Sequence, residues 1–125
     1  MNFITKDSGK RQKFSTGMQR DTNEDKPRFD LISPLGIPYK DQPLTRIAKH
    51  MARWAEKYEE RNREKACTQE EVNRFRESAY RHFMARWCGE VDEDHYSAVF
   101  FNMTGVETTK YKMEHTTLDR QNFSL

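Results

Sequence analysis

From Pro43 onward the apolar positions of this chain recur three and four residues apart. Leu44, Ile47, Ala48, Met51, Ala55 and Tyr58 form the first such stripe. They predict a helix from about Pro43 to Arg63, with Asp41 as N-cap and Pro43 in the first turn. Thr68-Gln69-Glu70-Glu71 reads as a capping box and opens a second helix. Its inner face is Val72, Phe75, Ala79, His82, Phe83 and Arg86 or Trp87, and Gly89 closes it as a C′ residue. A third helix begins near Asp92, where Glu93 and Asp94 suit a helix N-terminus. Its stripe is His95, Ala98, Val99, Asn102, Met103 and Val106, and the pattern fades from about Thr108.

Upstream of these helices the pattern is different. All four prolines (Pro27, Pro34, Pro38, Pro43) and three of the five glycines fall in the first 43 residues. Such density breaks helices, so an extended strap is expected. Phe29, Leu31, Ile32, Leu35, Ile37 and Tyr39 are its expected anchors onto the helices. The organisation read from the chain is a flexible N-terminus over 1–15, a helical domain over 16–107 and a C-terminal tail over 108–125. The fold class is all-α, a small helical bundle with an extended N-terminal strap.

Composition adds an expectation about assembly. At 125 residues, 34% apolar and 34% charged, one chain hides little apolar surface, so completion by homo-oligomerisation is expected. A net charge of +2 arises from both signs with no basic block, which argues against direct nucleic-acid binding. No apolar run approaches a membrane span and no signal-peptide core stands out. Cys67 and Cys88 lack zinc-site spacing and read as reduced thiols, so the expected location is cytoplasmic.

Two stretches carry candidate chemistry. In the first helix Glu56 and Glu59 are three apart, with Glu60 four from Glu56, and carboxylates on one face suit a divalent ion. Glu-rich helix faces are also ordinary solvated surface. In the second, His82, His95 and Asn102 interrupt apolar stripes close to Glu90, Asp92 and Asp94. A polar group facing a core must be bonded or ligated, since unpaired burial costs about 1–3 kcal/mol. Lys57, Arg61 and Arg81 suit phosphate oxygens, though each is equally suited to helix-surface ion pairs. Trp54, Tyr58 and Trp87 offer faces to a base or simply fill a core. Arg28, beside Phe29 in the strap, reaches phosphate or pairs with an acid. No nucleophile triad or Gly-rich phosphate loop is present.

The order of short motifs resembles a known family. They are Thr16-Gly17 with Arg20-Asp21, Lys26-Pro27-Arg28-Phe29-Asp30-Leu31, and Ala55-Glu56-Lys57-Tyr58 with Arg61-Asn62. Ser78-Ala79-Tyr80-Arg81-His82, Gly89-Glu90, Asp94-His95, Ala98 and Asn102 follow. Together they resemble the phage-type dATP/dGTP diphosphohydrolase N-terminal domain, a relative of MazG-like all-α pyrophosphohydrolases. The resemblance implies an oligomeric, Mg²⁺-dependent enzyme. It would cleave a purine deoxynucleoside triphosphate between the α- and β-phosphates. It also implies a metal set: Glu56-x-x-Glu59 matches the first acidic pair of such enzymes, and Glu90 with Asp94, or Glu93, stands for the second. Lys57, Arg61, Arg81 and Arg28 would then meet phosphate. Tyr58, Asn62, His82, His95 and Asn102 would shape the substrate site. Arg63 stands where relatives often carry Trp. The alternative is a diverged phage protein that binds or sequesters a nucleotide, including a host immune signal, or binds a host protein.

Overall fold

The computed structural model describes residues 3–22 and 24–115. The chain divides into a unit up to Ile32 and a second unit from Ser33. In the first, β1 (Arg11–Lys13) pairs antiparallel with β2 (Gln19–Asp21), with Arg11 opposite Asp21 and Lys13 opposite Gln19. Gly17 at φ +90° closes the connection, which a non-glycine residue would strain. Arg11–Lys13 of this hairpin lies within the stretch 1–15 set apart as the N-terminal segment. Leu35 and Tyr39 are not anchors, at 100% and 84% exposure, and Phe29 and Leu31 are exposed at 76% and 68%. Short 3₁₀ turns at Phe29–Ile32 and Tyr39–Asp41 give these side chains no continuous apolar face.

The second unit is a three-helix assembly: α1 (Pro43–Tyr58), α2 (Gln69–Trp87) and α3 (His95–Glu114). The all-α reading therefore holds. Among the described residues no helix is long and apolar enough to cross a membrane.

Local chemistry sets the ends of α2. Thr68 accepts a hydrogen bond from the Glu71 amide while the Glu71 carboxylate returns to the Thr68 backbone, the reciprocal capping box. At the other end Gly89 N–H bonds Arg86 O and Glu90 N–H bonds Ala85 O, a Schellman closure that requires the φ of +86° found at Gly89.

α1 is shorter than the periodicity suggests. It stops at Tyr58, because Glu59 has φ +92° and Arg61 is left-handed. Its N-cap is Gln42 rather than Asp41, which lies in the preceding 3₁₀ turn. After the break, Arg63 lays its guanidinium 4.6 Å from the Phe101 ring centroid and donates to Phe101 O at 2.7 Å. An arginine thus covers an aromatic face and holds the post-α1 turn to α3.

α3 starts later and runs farther than expected, through residues assigned to the tail. Thr109 is fully buried, so a polar residue at the end of the predicted stripe is core. The remaining tail, 116–125, lies outside the described residues. α3 is the central helix: Ser97, Ala98, Asn102, Gly105, Val106 and Thr109 are buried along it. Gly105 permits the close approach of α2, because a Cβ there would sit 2.8 Å from the Phe75 ring. Buried apolar residues are few (Ile47, Ala66, Val72, Ala79, Ala98, Val106) and mostly small.

Candidate functional site

α1 and the turn between α2 and α3 enclose a cleft of about 810 Å³. One wall is basic. Arg46, Lys49, Arg53 and Lys57 are spaced three, four and four apart, which puts them on one face of α1. Arg86 joins them from the last turn of α2. The facing wall is the acidic turn Glu90–Asp94. Lys49, Arg53 and Arg86 have no carboxylate partner among the described residues. Unpaired cations grouped on one wall create a positive local field that attracts anions.

Asp94 explains how the walls are held together. It is the N-cap of α3, accepting from Ser97 N–H at 3.1 Å and Ser97 Oγ–H at 2.8 Å. It also takes a two-pronged contact from Arg46, at 2.7 and 3.0 Å. Those four bonds use all the acceptor positions a carboxylate has. Burial pushes its carboxyl upward, but the Arg46 and Ser97 hydrogen bonds outweigh this and bring it down to about 2.

His95 is buried beside this turn. Its Nε2 lies 2.8 Å from Asp92 Oδ1 and its Nδ1 lies 2.8 Å from Nδ1 of His82 on α2. Burial lowers the affinity of His82 for a proton, and the neighbouring histidine and Arg81 add to that. The Glu93 carboxylate completes a group of three donor atoms within 4.8 Å of one another. His50, also on the cleft, accepts a bond from Trp54 Nε1–H through Nε2 at 2.8 Å. Burial lowers its affinity for a proton, with Arg53 contributing.

Trp54 is engaged in an aromatic cluster: its ring stacks with Tyr58 (centroids 4.9 Å, 13°) and with Phe101 (5.4 Å, 16°). Lys57 Nζ stands 5.2 and 5.1 Å from the Trp54 and Tyr58 centroids, so its charge rests on aromatic faces at the cleft edge.

The residues expected from the sequence are distributed over several places. Lys57, Glu90, Asp94 and His95 line the basic cleft. Tyr58, Asn62, Arg81, His82 and Asn102 line a second cavity of about 640 Å³, bounded also by Lys65 and Arg74. Glu59 and Arg61 border a third hollow with Tyr58 and Asn62. Glu59 pairs with Lys65, and Arg61 with Glu64 at 2.9 Å. Since Glu59 has left the helix, it does not share a regular helix face with Glu56. Glu56 is exposed and lines none of these cavities. Asn102 donates to Ala98 O of its own helix at 2.8 Å. Arg81 donates to Ser78 at 3.0 Å. Arg28, in the N-terminal unit, is bidentate to Asp30 at 2.7 and 2.9 Å.

Sequence reasoning missed Arg46, Lys49 and Arg53. Their spacing with Lys57 was readable as a cationic stripe, but attention to apolar positions passed over it. It also missed that Glu93, rather than Asp94, stands with the histidines.

No curated protein and no solved structure matches the chain. The family model described as dATP/dGTP diphosphohydrolase, N-terminal, matches residues 16–118, spanning α1, the basic cleft, the acidic turn and α3. The chain therefore belongs to the dATP/dGTP diphosphohydrolase N-terminal family.

Proposed function

We propose that this chain is a nucleoside triphosphate diphosphohydrolase acting on a purine deoxynucleoside triphosphate. The observation that carries this reading is the cleft in which Lys49, Arg53 and Arg86, without carboxylate partners among the described residues, face an acidic turn in a chain of this family. A triphosphate brings up to four negative charges, and three such cations on one wall suit it.

The fit of a resident Mg²⁺ centre is poor within one chain. Asp94 has its acceptor positions filled, Glu59 is ion-paired and Glu56 lies outside the cleft. In this proposal Mg²⁺ arrives with the triphosphate as part of the substrate. The cations hold the phosphate oxygens. Glu90, exposed on the facing wall, takes a proton from a water as its oxygen bonds the α-phosphorus. The bridging P–O bond breaks, and pyrophosphate leaves with the monophosphate remaining.

Incubation with single dNTPs and NTPs plus Mg²⁺, followed by chromatography, tests this. dATP or dGTP is expected to yield monophosphate and pyrophosphate, with pyrimidines slower. A nucleoside and tripolyphosphate would contradict the reaction. Intact dNTP with a raised melting temperature would favour the second reading, binding without turnover, which the saturated Asp94 supports.

We further propose that the chain is a homo-oligomer. Tyr80, Phe83 and Trp87 stand at three- and four-residue steps on α2 and are 68%, 50% and 77% exposed. A stripe of large apolar groups in water is costly, and pairing it with the same stripe of a second copy is a closed two-fold solution. Light scattering is expected to give a dimer or larger, and Trp87→Glu a smaller species. A wild-type monomer at micromolar concentration would overturn this.

A further inference from the structure

We propose that His82, His95 and Glu93 form a binding site for a divalent transition metal of the zinc class, distinct from any Mg²⁺ carried by substrate. Among the described residues they are the one group of three histidine, cysteine or carboxylate side chains with donor atoms within 4.8 Å.

The proton inventory of the histidine pair is the starting point. The two Nδ1 atoms face each other at 2.8 Å, so one must carry a proton and the other a lone pair. Asp92 at His95 Nε2 fixes that nitrogen as the donor, which leaves Nδ1 of His95 as a bare, inward-facing lone pair. His82 Nδ1 then supplies the single shared proton. A divalent cation replaces that proton without disturbing the Asp92 contact. Both Nδ1 atoms become ligands, and the proton that leaves His82 Nδ1 is taken up at His82 Nε2, so both imidazoles stay neutral and no net proton is released. The rings need only a small opening, since two nitrogen ligands on tetrahedral zinc stand about 3.3 Å apart.

The surroundings are those of a metal-binding histidine. A carboxylate on the non-ligating nitrogen, here Asp92, fixes the orientation of the ring. The third donor, the exposed Glu93 carboxylate, has no hydrogen-bond or ion-pair partner among the described residues, so it is free to close on the ion. Two imidazoles and one carboxylate suit Zn²⁺, Co²⁺ or Ni²⁺, whereas Mg²⁺ prefers oxygen donors throughout. Three protein ligands leave a coordination position open. Glu93 and His95 line the basic cleft, so that open position lies where the proposed phosphate would. This last placement alone rests on the hydrolase reading; the metal site itself does not.

The test uses the full chain, freed of metal by chelation and titrated with Zn²⁺ and, separately, with Co²⁺ and Mg²⁺. Calorimetry is expected to show one Zn²⁺ per chain, with Co²⁺ producing a visible d–d band and Mg²⁺ leaving the site empty. His82→Gln and Glu93→Gln, at half-buried and exposed positions, are expected to weaken Zn²⁺ binding by roughly 10–100-fold. A Cys67→Ser/Cys88→Ser double variant is expected to bind as the wild type does. No stoichiometric Zn²⁺ binding, or binding unchanged in both the His82 and Glu93 variants, would overturn the site. Such failure with dNTP hydrolysis intact would leave the proposed activity standing. Zn²⁺ binding without hydrolysis of any nucleotide would leave the site standing and remove the activity.

Discussion

Charge reversal of Lys49 and Arg53 together is expected to lower kcat/KM for dATP or dGTP by at least about 100-fold. Each cation meets phosphate in this proposal, and a charge-assisted hydrogen bond contributes about 1.5–3 kcal/mol. Losing two corresponds to about 3 kcal/mol or more, and every 1.36 kcal/mol is a factor of ten in rate. Both side chains are exposed and lack carboxylate partners among the described residues. The melting temperature should therefore move little, since such surface changes stay within about 0.5 kcal/mol. The wild-type KM should rise with added salt, because the cleft faces water and exposed charges are screened. Full activity in the double variant would move the phosphates to the second cavity, where Arg74, Arg81 and Lys65 gather.

The largest stability effect is expected at Asp94. Asp94→Ala removes the α3 N-cap and the Arg46 pair together. Cap loss costs about 0.5–2 kcal/mol. The ion pair adds up to about 1 kcal/mol once the partly exposed Arg46 is discounted for solvent screening. A total loss of roughly 1–3 kcal/mol is expected in denaturant melts. Asp94→Asn keeps a cap acceptor and should lose less than half of that. The acid dependence has a definite direction. The carboxyl titrates at about 2 in the fold against an ordinary value of 3.8, so the unfolded chain binds the proton more readily. The contribution is complete above about pH 4 and is lost as pH falls toward 2. A wild-type and Asp94→Asn pair whose stability difference stays constant over that range would remove Asp94 from this role.

The two effects separate binding from architecture. Arg46 belongs to the same basic stripe as Lys49 and Arg53, yet it is engaged with Asp94 and bridges α1 to the start of α3. Replacing it should cost stability as well as activity, whereas Lys49 and Arg53 should cost activity alone. The acidic turn likewise divides its labour: Asp94 caps and pairs, Asp92 orients His95, and Glu90 and Glu93 remain unpaired among the described residues.

The amino-acid sequence determined what depends on neighbours within a few residues. The Thr68–Glu71 box and the Gly89 closure were legible because each is made of bonds spanning three to five positions. The three helices, the all-α class and the family followed from periodicity and from short motifs in order. Other features were decided by contacts between distant residues. Asp94 reads as a helix-start carboxylate and metal candidate, but its partner Arg46 is 48 positions away. His82 and His95 read as polar breaks in two apolar stripes, and only helix packing sets their nitrogens 2.8 Å apart across 13 positions. The early end of α1 shows the same limit: the apolar pattern runs past Tyr58, while the backbone turns at Glu59 and Arg63 goes to Phe101 on α3. A side chain's spacing fixes its helix face, and the angle at which helices pack fixes what that face meets. For this chain, only that packing turns an unremarked row of cations into one wall of a charged cleft.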